Sequence, residues 1–240
     1  MRVEGLRGRF FVVAHRGASG YEPENTLRAV RRALEMGVDA VEVDVRLSRD
    51  GVPVVIHDET VDRTTSGRGR VREMTAEELR GLDAGAGERV PLLEEVLDEV
   101  RGRAVLFLEL KEREAAEPSL ELVRGRGMLD QVLFISFDEQ AISAVKAREP
   151  AAHAGLIYAR PGEAVVAARR LGCEFVLPHY RLATERAVAF AHRLRLLVVA
   201  WTVDDPGLAA ELKRRGVDGI ASNYPDRMMP LRGATGTPLR

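Results

Sequence analysis

"AVEVDVRLSRDGVPVVIH", residues 40–57, holds two apolar runs separated by only "RLSRDG". Two strands that lie parallel in one sheet need a crossover of roughly a dozen residues or more. Six residues that end in Asp50-Gly51 suit a tight turn instead. The second run, "PVVIH", therefore reads as the return arm of an antiparallel hairpin. Centred on "SRDG", that hairpin sets His57 roughly opposite Glu42.

This reading settles a count. Apolar runs also occur at "RFFVVA" (9–14), "AVLFLEL" (104–110), "VLFISF" (132–137), "AGLIY" (154–158), "FVLPHY" (175–180), "LLVVAWTV" (196–203) and "GIAS" (219–222). Helical periodicity fills most of the gaps between them, as with Leu27, Val30 and Leu34 on one face. Three segments echo one another: "LEMGVDAVEV" (34–43), "ARRLGCEFVL" (168–177) and "LKRRGVDGIA" (212–221). Each reads as a helix end, a capping glycine and a buried strand. Repeated helix–Gly–strand units indicate a parallel sheet with helical crossovers. Nine runs less one hairpin arm leave eight strands, the number of an α/β (β/α)8 TIM barrel, here with an extra β-hairpin arm after strand two. No Pro/Gly/Ser-rich linker interrupts residues 1–240, so a single barrel domain is expected. Residues 58–91 are expected to carry a short helix near Ala76–Leu82, and residues 226–240 to form a loose tail.

Composition narrows the function. The formal charge is -1 and no basic block occurs, which argues against a nucleic-acid partner. Cys173 is alone, so neither a disulfide framework nor a cysteine zinc site is expected. No stretch approaches the ~20 apolar residues of a membrane span, so no stable membrane insertion is expected. Charges in "MRVEGLRGRF" oppose a signal peptide, and a cytoplasmic protein is expected. Among 36 basic residues only Lys111, Lys146 and Lys213 are lysine, and Asn and Gln occur twice each, a bias that a GC-rich genome explains.

In a parallel barrel the active site lies at the C-terminal ends of the strands. Strand one ends in His15-Arg16. Strand two carries Glu42 and Asp44, two apart and so on one face. The next barrel strand ends in Glu109, with Lys111 on the same face, and the hairpin returns His57 toward them. Phe137 and Trp201 follow strands on the same side and are expected to form an apolar wall of the cleft. The other histidines, His153, His179 and His192, are expected to be structural or solvated; of the three only His179, at a strand end, is placed where a site role could arise. Charges inside apolar strands are costly without partners. Ordinary ion pairs, Glu42 with Arg16 and Glu109 with Lys111, would account for single pairs but not for seven such groups at equivalent strand ends. Three carboxylates without cysteine suit one hard divalent cation, Ca²⁺ or Mg²⁺. Arg and Lys beside it suggest a phosphate, and two histidines a general base and a general acid. The chemistry is metal-assisted cleavage of a phosphate ester.

"AHRGASGYEPENTL", "VEVDVRLSRDGVPVVIHDETVDRTTSG", "PLLEEVL", "LFLELK", "ISF", "WTV" and "GVDGIASNYPD" resemble, in this order, the signature segments of the glycerophosphodiester phosphodiesterase family, over about residues 10–227. The resemblance implies a TIM barrel that hydrolyses glycerophosphodiesters to sn-glycerol 3-phosphate and an alcohol. It implies His15 and His57 as the catalytic pair, and Glu42, Asp44 and Glu109 as metal ligands. Arg16 and Lys111 would contact phosphate, and Trp201 would line the cleft. Two positions depart from the family pattern: Ser222-Asn223 stands where Thr-Asp is usual, and Asp204 where Asn is usual. Gly17 is expected to let the chain turn away from the phosphate, and Asn25 to cap the first long helix. Alternatives are a phospholipase D-like enzyme acting on lysophospholipids or sphingomyelin, and a non-catalytic barrel that binds a phosphorylated ligand.

Overall fold

Side chains alternate between the two faces of a strand, and in this chain both faces are apolar because both are covered. The computed structural model describes residues 1–234. The nine apolar runs form β1 (Arg9–Ala14), β2 (Ala40–Leu47), β3 (Pro53–Val55), β4 (Val105–Leu110), β5 (Val132–Ser136), β6 (His153–Tyr158), β7 (Phe175–Pro178), β8 (Leu197–Ala200) and β9 (Gly219–Ser222). All but β3 run parallel, and β1 pairs with both β2 and β9, which closes an eight-stranded barrel. Helices α1 (Leu27–Glu35), α2 (Ala76–Arg80), α3 (Leu93–Val100), α4 (Ala116–Gly125), α5 (Glu139–Arg148), α6 (Ala164–Arg170), α7 (Glu185–Arg193), α8 (Pro206–Arg214) and α9 (Pro225–Met228) follow the strands. The expected TIM barrel and its hairpin arm are both present. No helix among the described residues is long and apolar enough to cross a membrane.

The alternation sorts the core. On β2, Val41, Val43 and Val45 face outward toward the helices, as do Leu106, Leu108 and Leu110 on β4. Phe11, Val13, Val105, Phe107, Leu133, Ile135, Phe175 and Val199 fill the barrel interior. Phe107 packs edge-on against Phe11 and Phe175, with ring centroids 6.4 and 6.1 Å away. A third cluster, including Val54, Ile56, Val71 and Leu79, lies under the insertion that follows β2. There Thr75 and Glu78 form a capping box at the start of α2, the short helix expected near Ala76.

The three echoing segments do the same work at the N-terminal ends of the strands. Gly37, Gly172 and Gly216 take φ of 73°, 73° and 90° at the helix ends, a conformation that glycine tolerates best. Each is followed by an acidic residue that accepts a backbone N–H from the neighbouring strand. Asp39 takes the Val12 N–H at 2.9 Å, Glu174 that of Ala154 at 3.0 Å and Asp218 that of Val198 at 2.7 Å. Each carboxylate also meets a basic group: Arg9 and Arg232 at Asp39, His153 at Glu174, His192 at Asp218. His192 is thus not merely solvated: its Nε2 lies 2.8 Å from Asp218.

Two further expectations change. The hairpin turn takes five residues, Ser48–Val52, rather than four. Val45 therefore faces Val55, and Ile56 donates to the Asp44 carbonyl at 3.0 Å. This register brings His57 level with Val43, one residue from the expected partner. The expected loose tail is ordered through Ala234: Met228 is fully buried, Arg232 reaches Asp39 at 2.7 Å, and β10 (Gly233–Ala234) pairs antiparallel with Arg9-Phe10 of β1. Its segments are too short to show a period in sequence. Residues 235–240 of that tail lie outside the described residues.

The hydrogen bond to Asp218 raises the His192 pKa above its ordinary value, against partial burial. Its charge-dependent contribution to stability is therefore complete below about pH 6.5 and is lost as pH rises through the higher folded-state value. The melting-temperature gap between wild type and His192→Gln should be widest near pH 5.5 and shrink by pH 9. A constant gap across that range would rule out the charged pair.

Candidate active site

The inward positions at the C-terminal ends of β2 and β4 are the ones that break the apolar rule. Glu42, Asp44 and Glu109 point into the barrel and are 4%, 1% and 8% exposed. Asp44 and Glu109 are direct neighbours in the sheet register, and one oxygen from each of the three lies within 4.8 Å of the others. Like charges that close repel by at least about 3 kcal/mol per pair at an effective dielectric near 20. Burial, then Asp44 and Glu109, push the Glu42 pKa well above the carboxylate range. Burial and then Asp44 push Glu109 up to about 7. Burial also raises Asp44, but Lys111, Arg16, His57 and the Asn25 hydrogen bond together outweigh it and its pKa ends low.

The neighbouring cations meet part of this charge. Lys111 Nζ lies 2.5 Å from Glu109 and 3.4 Å from Asp44. The Arg16 guanidinium lies 2.9 Å from Glu24 and 3.2 Å from Asp44, while its backbone N–H donates to Glu42 at 2.8 Å. The expected Glu42–Arg16 contact is thus made by the main chain. Glu42 Oε1 is buried and has no hydrogen-bond partner. An orphaned carboxylate oxygen beside two others is a donor set that fits a hard cation.

Two histidines face this floor. His15 follows β1, and its Nδ1 lies 2.8 Å from Asn223 Oδ1. His57 follows β3, and its Nδ1 lies 2.6 Å from Asp58 Oδ1. Burial lowers the pKa of both, and in His15 the Arg16 charge adds to the effect. Asp58 is held by Arg63, which also grips Glu24, so a chain of ion pairs links His57 to Arg16. His15, Arg16, Glu42, His57, Glu109 and Lys111 line one cavity of 170 Å³. Its far wall includes Phe137 and Trp201, whose rings meet edge-on at 5.5 Å. Phe137 is half-exposed, and the Trp201 indole N–H is anchored on the Leu177 carbonyl at 2.7 Å. His179 packs behind Trp201 at 5.5 Å and does not line the cavity.

Other residues acquire roles that their sequence positions did not announce. Asn25 is not the helix cap: Thr26, directly before α1, accepts the Ala29 N–H at 3.2 Å. Asn25 instead clamps Asp44, donating to Oδ2 at 2.8 Å and accepting the Asp44 N–H at 3.1 Å. Both Arg16 and Asn25 take positive φ, 55° and 58°, and the Asn25 N–H closes the loop on the Arg16 carbonyl. Gly17 is also required by packing. Its φ is 75°, and a Cβ there would sit 2.6 Å from the Ala29 carbonyl carbon. The two departures from the family pattern meet in space, because Asp204 binds both Ser222 and Asn223.

Residues 15–227 match the model of the glycerophosphoryl diester phosphodiesterase family. This chain belongs to that family. It is 36% identical over 235 residues to a glycerophosphodiester phosphodiesterase of Caldanaerobacter subterraneus, covering 92% of this chain and 96% of that one. A putative glycerophosphoryl diester phosphodiesterase from Silicibacter pomeroyi superposes with a TM-score of 0.90 at 30% identity, covering 96% of both chains. An Oleispira antarctica phosphodiesterase, solved with the product sn-glycerol-3-phosphate, superposes with a TM-score of 0.88 at 33% identity over 92% of this chain and 96% of that one.

A family member with this acidic floor should gain stability from a cation. Adding Mg²⁺ or Ca²⁺ should raise the melting temperature of the wild-type chain, and Glu109→Gln should remove most of that rise while leaving the cation-free protein folded. An unchanged rise in the variant would detach Glu109 from the site. At the opposite wall, Trp201→Ala should lower kcat/KM on a glycerophosphodiester by about tenfold, whereas a purely packing role would lower the melting temperature alone.

Proposed function

We propose that this chain hydrolyses glycerophosphodiesters to sn-glycerol 3-phosphate and an alcohol. The observation that carries the reading is the convergence of two histidines on one cavity above three buried carboxylates and beside two cations. Glu42, Asp44 and Glu109 would hold one divalent cation, Ca²⁺ or Mg²⁺. When bound, it would supply Lewis-acid stabilisation of a phosphoryl oxygen and of an ionising hydroxyl. The product seen in the Oleispira enzyme and the names of the relatives agree with this substrate class.

Arg16 and Lys111 border the cavity from the carboxylate side and would take the anionic phosphate oxygens. Phe137 and Trp201 would cover the glycerol carbons or the leaving alcohol. A glycerophosphodiester carries a free hydroxyl beside its ester oxygen, close enough for an intramolecular attack. One histidine takes the proton of that hydroxyl as its oxygen bonds to phosphorus. The other donates a proton to the alcohol oxygen as the phosphorus–oxygen bond breaks. Water then opens the cyclic phosphate, with the histidine roles reversed.

Hydrolysis of glycerophosphocholine should be abolished by EDTA and restored by Mg²⁺ or Ca²⁺. His15→Ala and His57→Ala should each lower kcat by roughly 10² to 10⁴-fold, the usual worth of one acid–base group. A substrate in which hydrogen replaces the adjacent hydroxyl should bind without turning over. Turnover at the parent rate would exclude the cyclic step, and undiminished activity in either histidine variant would exclude the pair. Lysophosphatidylcholine micelles, assayed in parallel, distinguish a lysophospholipase D.

A further inference from the structure

His15 is tied to two side chains that the proposed chemistry does not use. Asp204 follows β8 and Asn223 follows β9. Asp204 Oδ1 accepts from the Ser222 hydroxyl at 2.9 Å and from the Asn223 backbone N–H at 2.8 Å. Asp204 Oδ2 lies 2.8 Å from Asn223 Nδ2, and Asn223 Oδ1 lies 2.8 Å from His15 Nδ1. The Ser19 hydroxyl lies 2.8 Å from the same Oδ1 and 2.7 Å from the His15 carbonyl.

The chemistry of these groups fixes the direction of the bonds that run from Asp204 through Asn223 to His15, whereas the single Ser19 hydroxyl hydrogen is shared between two acceptors. An ionised carboxylate only accepts, so the Asn223 atom that faces Asp204 has to be the NH₂ group. The other end of the amide, facing His15, is then the carbonyl oxygen, which also only accepts. His15 Nδ1 must carry a hydrogen, and in the neutral imidazole Nε2 is left as the free ring nitrogen. We infer that Asp204 and Asn223 are positioning residues, a two-step relay that locks His15 in its Nδ1–H form and leaves Nε2 to meet the substrate. The tautomer follows from the hydrogen bonds alone; what Nε2 does for catalysis rests on the proposed function.

The pair also explains why the two departures from the family pattern occur together. Relative to that pattern the carboxylate and the amide have exchanged places, and each exchange makes sense only with the other. Asp204→Asn sets an N–H group against a second N–H in either amide orientation, at Asn223 Nδ2 or at the Asn223 backbone. Asn223→Asp sets two carboxylates 2.8 Å apart. The double exchange D204N/N223D restores a donor to an acceptor at both links.

Kinetics on glycerophosphocholine, melting temperatures and long-range ¹H–¹⁵N NMR of the histidine rings test the relay together. The wild-type His15 ring, assigned by its loss in His15→Gln, should show the Nδ1–H pattern. Each single variant should lower kcat at least tenfold with KM changed less than about threefold. Losing an orienting partner can cost up to about 10⁴-fold where the wrong tautomer results. The double variant should return to within about threefold of wild type, as two coupled residues of one hydrogen-bond network do, whereas a merely structural role would lower the single variants' melting temperatures without the fall in kcat. An Nε2–H ring in the wild-type protein overturns the relay, as do unimpaired single variants or a double variant no better than the worse single one. If a single variant fails to fold, the wild-type spectrum still decides the tautomer. An Nδ1–H His15 in a chain that hydrolyses no glycerophosphodiester would support the lock and overturn the proposed function.

Discussion

Three carboxylates share the inside of a barrel that is otherwise filled with Phe, Leu, Ile and Val. Asp44 and Glu109 are register partners on adjacent parallel strands, and Glu42 lies one inward position below Asp44. A chain free to optimise stability alone would place apolar side chains there, since a buried charge earns little even when paired. Much of the surrounding structure answers to this charge. Lys111 leans back onto Glu109, Arg16 is turned through a left-handed backbone conformation, and Asn25 holds Asp44 by both its amide atoms. Glu42 Oε1 still lacks a partner. The floor is therefore incompletely compensated by the protein's own groups, which is the condition under which a cation is bound tightly.

The two ends of the barrel use the same residue types for opposite ends. At the N-terminal side Asp39, Glu174 and Asp218 each accept a neighbouring strand's N–H and meet Arg or His, so every charge has its partners within the chain. His153 and His192 belong there. At the C-terminal side the carboxylates take few backbone N–H groups and face a cavity instead. The distinction lies in which groups are satisfied without a ligand, not in composition, and it separates structural histidines from the pair above the acidic floor.

The barrel and its floor were legible in the sequence because both follow from strict period-two alternation. Once "AVEVDV" and "PVVIH" are read as a hairpin, the strand count and the inward direction of Glu42 and Asp44 follow together. Residues whose partners are distant in sequence were not legible. "ENT" offers two good helix caps, and only the tertiary position of Asp44 draws Asn25 away and leaves the cap to Thr26. Gly17 precedes a loop whose return path brings Ala29 against it, a contact between residues 12 apart that no local pattern displays. The one-residue difference at His57 came from a turn of odd length: Pro53, Val54, Val55 and Ile56 are all apolar, so this arm lacks the alternation that would tell a four-residue turn from a five-residue one. Ser222-Asn223 and Asp204 were visible as departures, but their dependence on each other appears only when β8 and β9 lie side by side.

The chain's use of amides follows from the same charge problem. Its 240 residues include only two asparagines, Asn25 and Asn223, and both contact residues of the site. Each bridges a group that must receive a hydrogen bond and one that must give it: Asn25 serves the Asp44 carboxylate and its N–H, and Asn223 serves Asp204 and the His15 ring. A carboxylate at position 25 could only accept, and it would add another negative charge beside three that already repel. A lysine or arginine could only donate. Serine and threonine combine both functions on one atom and cannot span two partners set apart. An amide alone among short side chains offers a donor and an acceptor at fixed separation without net charge. A composition that otherwise avoids asparagine retains it at the two positions where one side chain meets a donor and an acceptor beside the acidic floor and the His15 ring.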